Sequence, residues 1–231
     1  MTAKDSPSFL RVLVSEHPEA REVASRLRAV AGEVAPELRA EVEVAPAGDA
    51  DAPPRAEAAG VDLFAFGAPP PSWLLEAAVL RALAPRHILF LCVANSARSQ
   101  MGEGLARALA PVEVKISSAG SEPTRVRPQA VRALAEVGVD ITRQRSKGTD
   151  EVDPDVDAVV TLCAEEVCPA WLGKAWRVHW GLPDPAGAGA SPEEEMEAFR
   201  SVRDELRERL TVLFRGTQSD AEGVSKAGSA L

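Results

Sequence analysis

The sequence predicts an α/β protein: an open, doubly wound parallel sheet of four strands, preceded by a small α/β unit. Three observations predict it. Beyond residue 86, short apolar runs alternate with helical stretches, and strand–helix alternation with right-handed crossovers builds an open parallel sheet. The runs are continuously apolar, as parallel strands covered on both faces should be. One of them, Ile88-Leu-Phe-Leu-Cys92, passes directly into a loop and then a helix. In such sheets ligands sit at the carboxyl ends of the strands, where this run places Cys92.

The first 85 residues supply the small unit. Strands are expected at 10–14, 41–44 and 61–66, and helices at 17–31 and 71–84. The stretch Ala47-Gly-Asp-Ala-Asp-Ala-Pro-Pro54 is the most loop-like part. Only Pro85 separates the second helix from the apolar strand, so the unit should dock against the rest of the chain. It contains no cysteine, and its one histidine, His17, precedes Pro18 at a helix entry, where a local cap is the simplest reading. No helix-turn-helix pattern occurs in it, and its role stays open.

From residue 86 to 216 the strands are expected at 88–91, 112–117, 158–162 and 176–179. Helices are expected at 99–110, 128–137 and 192–215. The middle helix has Pro128 at its start and Gly138 at its end. In the last, Ser191-Pro192-Glu193-Glu194 combines an N-cap, a Pro at the first position and a capping-box Glu. Met196, Phe199, Val202, Leu206, Leu210 and Leu213 then recur at three- and four-residue steps, one buried stripe, before Gly216. The small, polar stretch 217–231 is expected to be disordered.

Composition bounds the function. An apolar fraction of 45% over 231 residues supports a real core. The net charge of −9, from 26 basic and 35 acidic residues, argues against nucleic acid or an anionic membrane surface as partner. No secretory h-region and no bilayer-length apolar run appears, so a cytoplasmic, reducing location is expected. Three cysteines are too few for a disulfide scaffold. No His stands near Cys163 and Cys168 as a zinc finger requires, and no metal or bound cofactor is expected.

The chemistry lies in Cys92-Val93-Ala94-Asn95-Ser96-Ala97-Arg98-Ser99. A tight loop between a strand and a helix N-terminus aims several backbone N–H groups at one point and binds phosphate-like anions. The same field favours a thiolate. Arg98 adds a planar fork for two oxyanion oxygens, and Ser99 can donate to the sulfur. A buried strand cysteine and a surface cation are the bland alternative. Asp184, between Pro183 and Pro185, is a candidate general acid or an ordinary turn Asp. Cys163 and Cys168 are a close thiol pair, structural or redox-active.

Five ordered segments now carry a resemblance: the Cys92 loop continuing through Gln100, Met101 and Glu103; Ser117-Ser118-Ala119-Gly120; Asp157-Ala-Val-Val-Thr-Leu-Cys163; Cys168-Pro169; and His179-Trp-Gly-Leu-Pro-Asp184-Pro185. Together they resemble the thioredoxin-coupled arsenate reductases, which share the low-molecular-weight protein tyrosine phosphatase fold, over roughly residues 86–216. The resemblance implies arsenate, or a phosphate-like oxyanion, bound by residues 93–98, with Cys92 as nucleophile and Asp184 as acid. It implies a relay in which Cys163 attacks the Cys92 adduct and Cys168 then attacks Cys163, leaving a disulfide for thioredoxin. The Cys163–Cys168 spacing is slightly closer than is usual in that family. Asn95 shapes the cradle there, and Glu103 and Ser118 match positions that in some members help bind a monovalent cation. This chain has Ser146-Lys147 near the acidic ligand of those members, and the Lys147 ammonium is a candidate replacement for the cation; a solvated lysine is the alternative. His179 and Trp180 read as structural, buried beside the acid loop.

Two other functions fit parts of the pattern. A protein tyrosine phosphatase uses the same loop, but Gln100 stands where phosphatases carry Pro, and the chain has no Tyr. A non-catalytic anion or redox sensor would be expected to lose the nucleophile, Arg98, the acid or a relay cysteine, and all are present.

Overall fold

The structure, a computed structural model, describes residues 9–15, 17–36, 41–46, 56–64, 69–164 and 170–214. Cys168, Gly216 and the 217–231 tail lie outside the described residues.

The N-terminal part comprises β1 (Phe9–Val14), α1 (Pro18–Val34), β2 (Glu41–Pro46), β3 (Ala56–Ala58), β4 (Val61–Asp62) and α2 (Ser72–Leu83). Its sheet runs β2-β1-β3-β4, with β1 parallel to β2 and the β3–β4 hairpin antiparallel. The single strand expected at 61–66 is instead the second arm of that hairpin. Its turn residues Ala59 and Gly60 have φ of +50° and +76°, the left-handed pair a two-residue hairpin requires. The first arm, Ala-Glu-Ala, carries no β-branched residue that would have announced it. His17 caps α1, its Nδ1 accepting from Glu19 N at 3.3 Å.

The second part comprises β5 (His87–Cys92), α3 (Arg98–Leu109), β6 (Lys115–Gly120), α4 (Pro128–Ala135), a 3-10 turn (Thr149–Glu151), β7 (Ala158–Cys163), β8 (Trp176–Leu182) and α5 (Pro192–Phe214). Its sheet is parallel throughout, in the order β6-β5-β7-β8. The strand expected at 112–117 begins three residues later. Val112 is fully exposed in a turn, and Val114 N bonds back to Pro111 O at 3.0 Å. The small residues Ser117-Ser118-Ala119-Gly120 form the strand's second half, because the Cys92 loop rests on them.

One apolar core runs through both parts. Helix α2 buries Leu74, Leu75 and Leu80 completely. Arg81 Nη1 donates to Val212 O of α5 at 3.2 Å, and the Arg209 guanidinium lies 5.6 Å from the Trp73 ring centroid. The N-terminal part is therefore docked on α5, as the short Pro85 joint requires. Helix α5 starts with a complete capping box: Glu194 N donates to Ser191 Oγ at 3.2 Å and Ser191 N to Glu194 Oε2 at 3.1 Å.

Candidate active site

Strand β5 ends at Cys92, at the carboxyl edge of the sheet between β6 and β7. Residues 93–97 then turn tightly into α3, which begins at Arg98. The carbonyls of this loop are all engaged from outside. Val93 O accepts from Glu122 N at 3.0 Å, Ala94 O from Thr124 N at 3.0 Å and Ser96 O from Arg127 N at 2.9 Å. Asn95 O accepts from Ser146 Oγ at 2.6 Å and Gln100 Nε2 at 3.1 Å. In a planar trans peptide the following N–H points the opposite way. The amides of residues 94–97 therefore face inward, toward the helix N-terminus, a cradle-like arrangement that can hold an anion.

Cys92 is 2% exposed, and its Sγ lies 3.0 Å from Ser99 Oγ. Asn95 explains how the loop keeps its shape. Its φ of +44° is a left-handed conformation that Asn tolerates better than most residues. Its Nδ2 donates to Ser99 Oγ at 2.8 Å and Ser118 Oγ at 2.9 Å. Its Oδ1 accepts from Gln100 Nε2 and Lys147 N, each at 2.9 Å. Gly120 closes the cradle from below: a Cβ there would overlap Val93 O and lie 2.8 Å from Asn95 N. Gln100, Ser146 and Gly120 are supports that sequence reasoning did not assign. Gln100 and Gly120 lie in segments that carry the resemblance and Ser146 stands beside Lys147, but no motif rule converts any of the three into a role.

Arg98 is 3% exposed, with its Nη1 donating to Leu182 O at 3.1 Å and its Nη2 to Asp184 Oδ2 at 3.0 Å. Asp184 follows β8, and its Oδ1 accepts from Ala186 N at 3.0 Å. Its side chain is 44% exposed, a carboxyl held at the mouth of the cradle.

Behind the loop, Glu103 is buried. It accepts from Ser118 Oγ, pairs with Arg107 at 2.6 Å and with Lys147 Nζ at 3.0 Å. Lys147 is thus anchored through both its backbone and its ammonium group.

Cys163 ends β7 and is 1% exposed. Leu91 pairs with Thr161 across β5 and β7. Continuing that register puts the Cys92 and Cys163 α-carbons on a diagonal of about 6 Å, given strand spacings near 4.8 Å and a 3.3 Å rise. Strand alternation points their side chains to opposite faces, so a bond between them requires the end of β7 to rearrange. A register shift between Thr161 and Cys163 already interrupts the β7–β8 ladder there. Trp180 is buried as expected, but His179 is exposed, with its Nδ1 2.8 Å from Thr161 Oγ1. The difference follows from β8, which buries alternate residues: Trp176, Val178, Trp180 and Leu182 face the core. His87, buried at the far end of β5, binds Asp155 O and Ser117 Oγ, and burial holds its pKa below the usual value.

The family model for low molecular weight phosphotyrosine protein phosphatase matches residues 87–225, well over half of the chain. The chain belongs to this family. Within the low molecular weight phosphotyrosine protein phosphatase family it groups with the arsenate reductases. It is 47% identical over 126 residues to the arsenate reductase of Halalkalibacterium halodurans, covering 53% of this chain and 91% of that protein. It is 46% identical over 129 residues to the arsenate reductase of Bacillus subtilis, again covering 53% and 91%. Among solved structures, the arsenate reductase of Archaeoglobus fulgidus is 33% identical, with a TM-score of 0.48, over 55% of this chain and 98% of that one. Residues 1–86 lie outside the family match. Among the described residues no helix is long and apolar enough to cross a membrane.

Proposed function

We propose that the chain reduces arsenate to arsenite through a disulfide relay completed by thioredoxin, in the service of arsenic resistance. Cys92 attacks the arsenic of an arsenate held by the loop of residues 93–97, through its inward amides 94–97, and by Arg98. The Asp184 carboxyl, in its protonated form, gives its proton to the leaving oxygen. Cys163 then attacks the Cys92 sulfur; the sulfur–arsenic bond breaks, its electron pair leaves with arsenic as arsenite, and a Cys92–Cys163 disulfide forms. Cys168 attacks Cys163, releasing Cys92 as a thiolate. The remaining Cys163–Cys168 disulfide takes two electrons from thioredoxin. No bound cofactor takes part in this scheme.

The observation that carries the reading is the position of Cys163 beside Cys92, at the ends of adjacent parallel strands. A phosphatase has no use for that second cysteine. The cradle and Asp184 are equally suited to hydrolysing a phosphomonoester, so a slow phosphatase reaction accompanies the reductase. In this reading Ser99 supports the Cys92 sulfur, Glu103 and Ser118 hold the back of the cradle, and Lys147 supplies the fixed charge a monovalent cation would otherwise bring. Residues 1–85 serve as a docked unit outside the chemistry, which resides in 86–216. Arsenate-dependent oxidation of NADPH with thioredoxin and thioredoxin reductase tests the proposal, beside hydrolysis of p-nitrophenyl phosphate. Turnover of the ester without arsenate-dependent NADPH oxidation selects the phosphatase, and neither reaction leaves the non-catalytic sensor.

A further inference from the structure

A general acid works in its protonated form, and a protonated Asp184 no longer makes an ion pair with Arg98. A loop that presents the carboxyl in that state needs a hold that does not depend on the charge of Asp184. The residues after it supply one. Pro185–Ala188 close a turn, with Ala188 N donating to Pro185 O at 3.3 Å. Gly187 has φ +76°, the left-handed value that the third residue of such a turn requires. Two consecutive amides of this turn go to two different carboxylates. Ala186 N donates to Asp184 Oδ1 at 3.0 Å, and Gly187 N donates to Glu195 Oε1 at 2.8 Å.

Glu195 lies in the first turn of α5, together with Glu193 and Glu194. Negative charge at a helix N-terminus is favourable in itself, which is the ordinary reason for an acid there. Glu194 adds a cap on its own helix, accepting from Ser191 N. Glu195 instead spends both oxygens outside α5. Oε1 takes the Gly187 amide, and Oε2 accepts from Gln129 Nε2 at 3.0 Å. Gln129 sits in the first turn of α4, two residues after Arg127, whose amide closes the cradle on Ser96 O at 2.9 Å. The Gly187 N–H, then Gln129 and the nearby Arg127, hold the Glu195 carboxyl below the usual carboxylate range. One carboxylate therefore joins the turn that follows the acid to the helix that follows the cradle segment, by a route that does not pass through Arg98.

We propose that Glu195 is the positioning residue for the Asp184 acid, fixing the turn at Gly187 to α4 so that the carboxyl keeps its place when it is protonated. The proposal rests on the acid role given to Asp184 above. The proton passes from Asp184 to the leaving oxygen, and Glu195 exchanges none.

The test mixes the reduced full chain with arsenate and times the first arsenite formed per chain, so that no external reductant enters the measurement. Wild type, Glu195→Ala, Glu195→Gln, Gln129→Ala and Asp184→Asn are compared, with each of the first three substitutions also placed on Asp184→Asn. Glu195→Ala should lower the limiting rate roughly 10- to 100-fold, the scale of a displaced catalytic group, while the half-saturating arsenate concentration stays put because the cradle is intact. Glu195→Gln should recover most of the rate, since its amide oxygen still accepts from Gly187 N and Gln129 can turn its own amide to meet the new NH2. Gln129→Ala, which leaves α5 untouched, should lose rate by a smaller factor and carries the same comparison should Glu195→Ala not fold. On Asp184→Asn none of these substitutions should cost more than about twofold further, because a residue that acts through the acid has nothing left to position. Equal losses in both backgrounds, a loss that appears in half-saturation instead of rate, or a Glu195→Ala rate like that of wild type would each overturn the positioning role alone. An unchanged rate in Asp184→Asn itself would overturn the acid assignment, and the role of Glu195 with it.

Discussion

Arg98 Nη2 sits 3.0 Å from Asp184 Oδ2, so the guanidinium of the first residue of α3 positions the carboxyl of the loop after β8. The fork donates on its other arm to Leu182 O, two residues before Asp184. One residue on α3 thereby fixes both the loop after β8 and the distance between the cradle and the acid.

Asp184→Asn should separate these two tasks. The amide oxygen can keep the bond from Arg98, but the NH2 that replaces the other oxygen cannot accept from Ala186 N, and the side chain has no acidic proton to give. Loss of a general acid costs about 10²- to 10⁴-fold in kcat. Oxyanion affinity should hold or improve, because Arg98 no longer faces a carboxylate. Steady-state kinetics with arsenate and phosphate inhibition constants check this; a large rise in KM at unchanged kcat would count against Asp184 as the acid.

The three cysteines should fail in different ways. Cys92→Ser should abolish arsenate reduction and ester hydrolysis together. Cys163→Ser should stop reduction and spare hydrolysis, since Cys92, Arg98 and Asp184 stay intact. Cys168→Ser should complete one round and stall with Cys92 joined to Cys163. Peptide mapping of the arsenate-treated Cys168→Ser chain is decisive. Continued turnover with thioredoxin and no such disulfide would disprove the relay.

Lys147 bears on ion dependence. Its ammonium is 3.0 Å from Glu103 Oε2, with Lys147 17% and Glu103 2% exposed. With that charge in place, the wild-type melting temperature should be nearly the same in potassium, sodium and choline chloride. Lys147→Met should destabilise by roughly 1–3 kcal/mol, the usual cost of stripping a partner from a buried polar group. Potassium should recover part of the loss. A potassium-specific gain in the wild-type chain would show that the ammonium does not fill the position.

Glu76 on α2 introduces a pH dependence at the contact between the two parts of the fold. Burial outweighs the nearby Arg209 of α5 and pushes its carboxyl up from 4.5 to about 7, with Glu33 of α1 adding to the rise. The folded chain therefore binds a proton that the unfolded chain releases between about pH 4.5 and 7. The contribution is complete below the unfolded value and fades as pH rises through 7. Glu76→Gln should raise the melting temperature at pH 8 by a few degrees, at about 2–4 °C per kcal/mol, and change it little at pH 5. An equal effect at both pH values would remove Glu76 as the cause.

How much of this was legible in the sequence varies with the range of the interactions. The α5 helix was readable to its first turn, because Ser191, Glu194 and the apolar stripe are local signals that agree with each other. The start of β6 was not, because the apolar Val112 suggested a strand while Lys115, paired with His87 across the sheet, begins it. The β3–β4 hairpin was misread for a similar reason: Ala59-Gly60 is a turn only when two weak strands are there to be joined.

At the site, the sequence alone suggested the chemistry proposed above. Cys92, Arg98 and Asp184 carry reactive groups whose meaning survives without coordinates, and strand-loop-helix order is enough to put a thiol at a helix N-terminus. Only the tertiary structure decided what holds those groups still. Asn95 joins Ser99, Gln100, Ser118 and Lys147, residues up to 52 positions away, and Gly120 is required because backbone from another strand passes beneath the loop. The burial of Glu103 and the contact of α2 with α5 were settled in the same way. Each depends on which segments meet in space, and hydrogen bonding and close packing between distant segments leave no periodic trace along the chain.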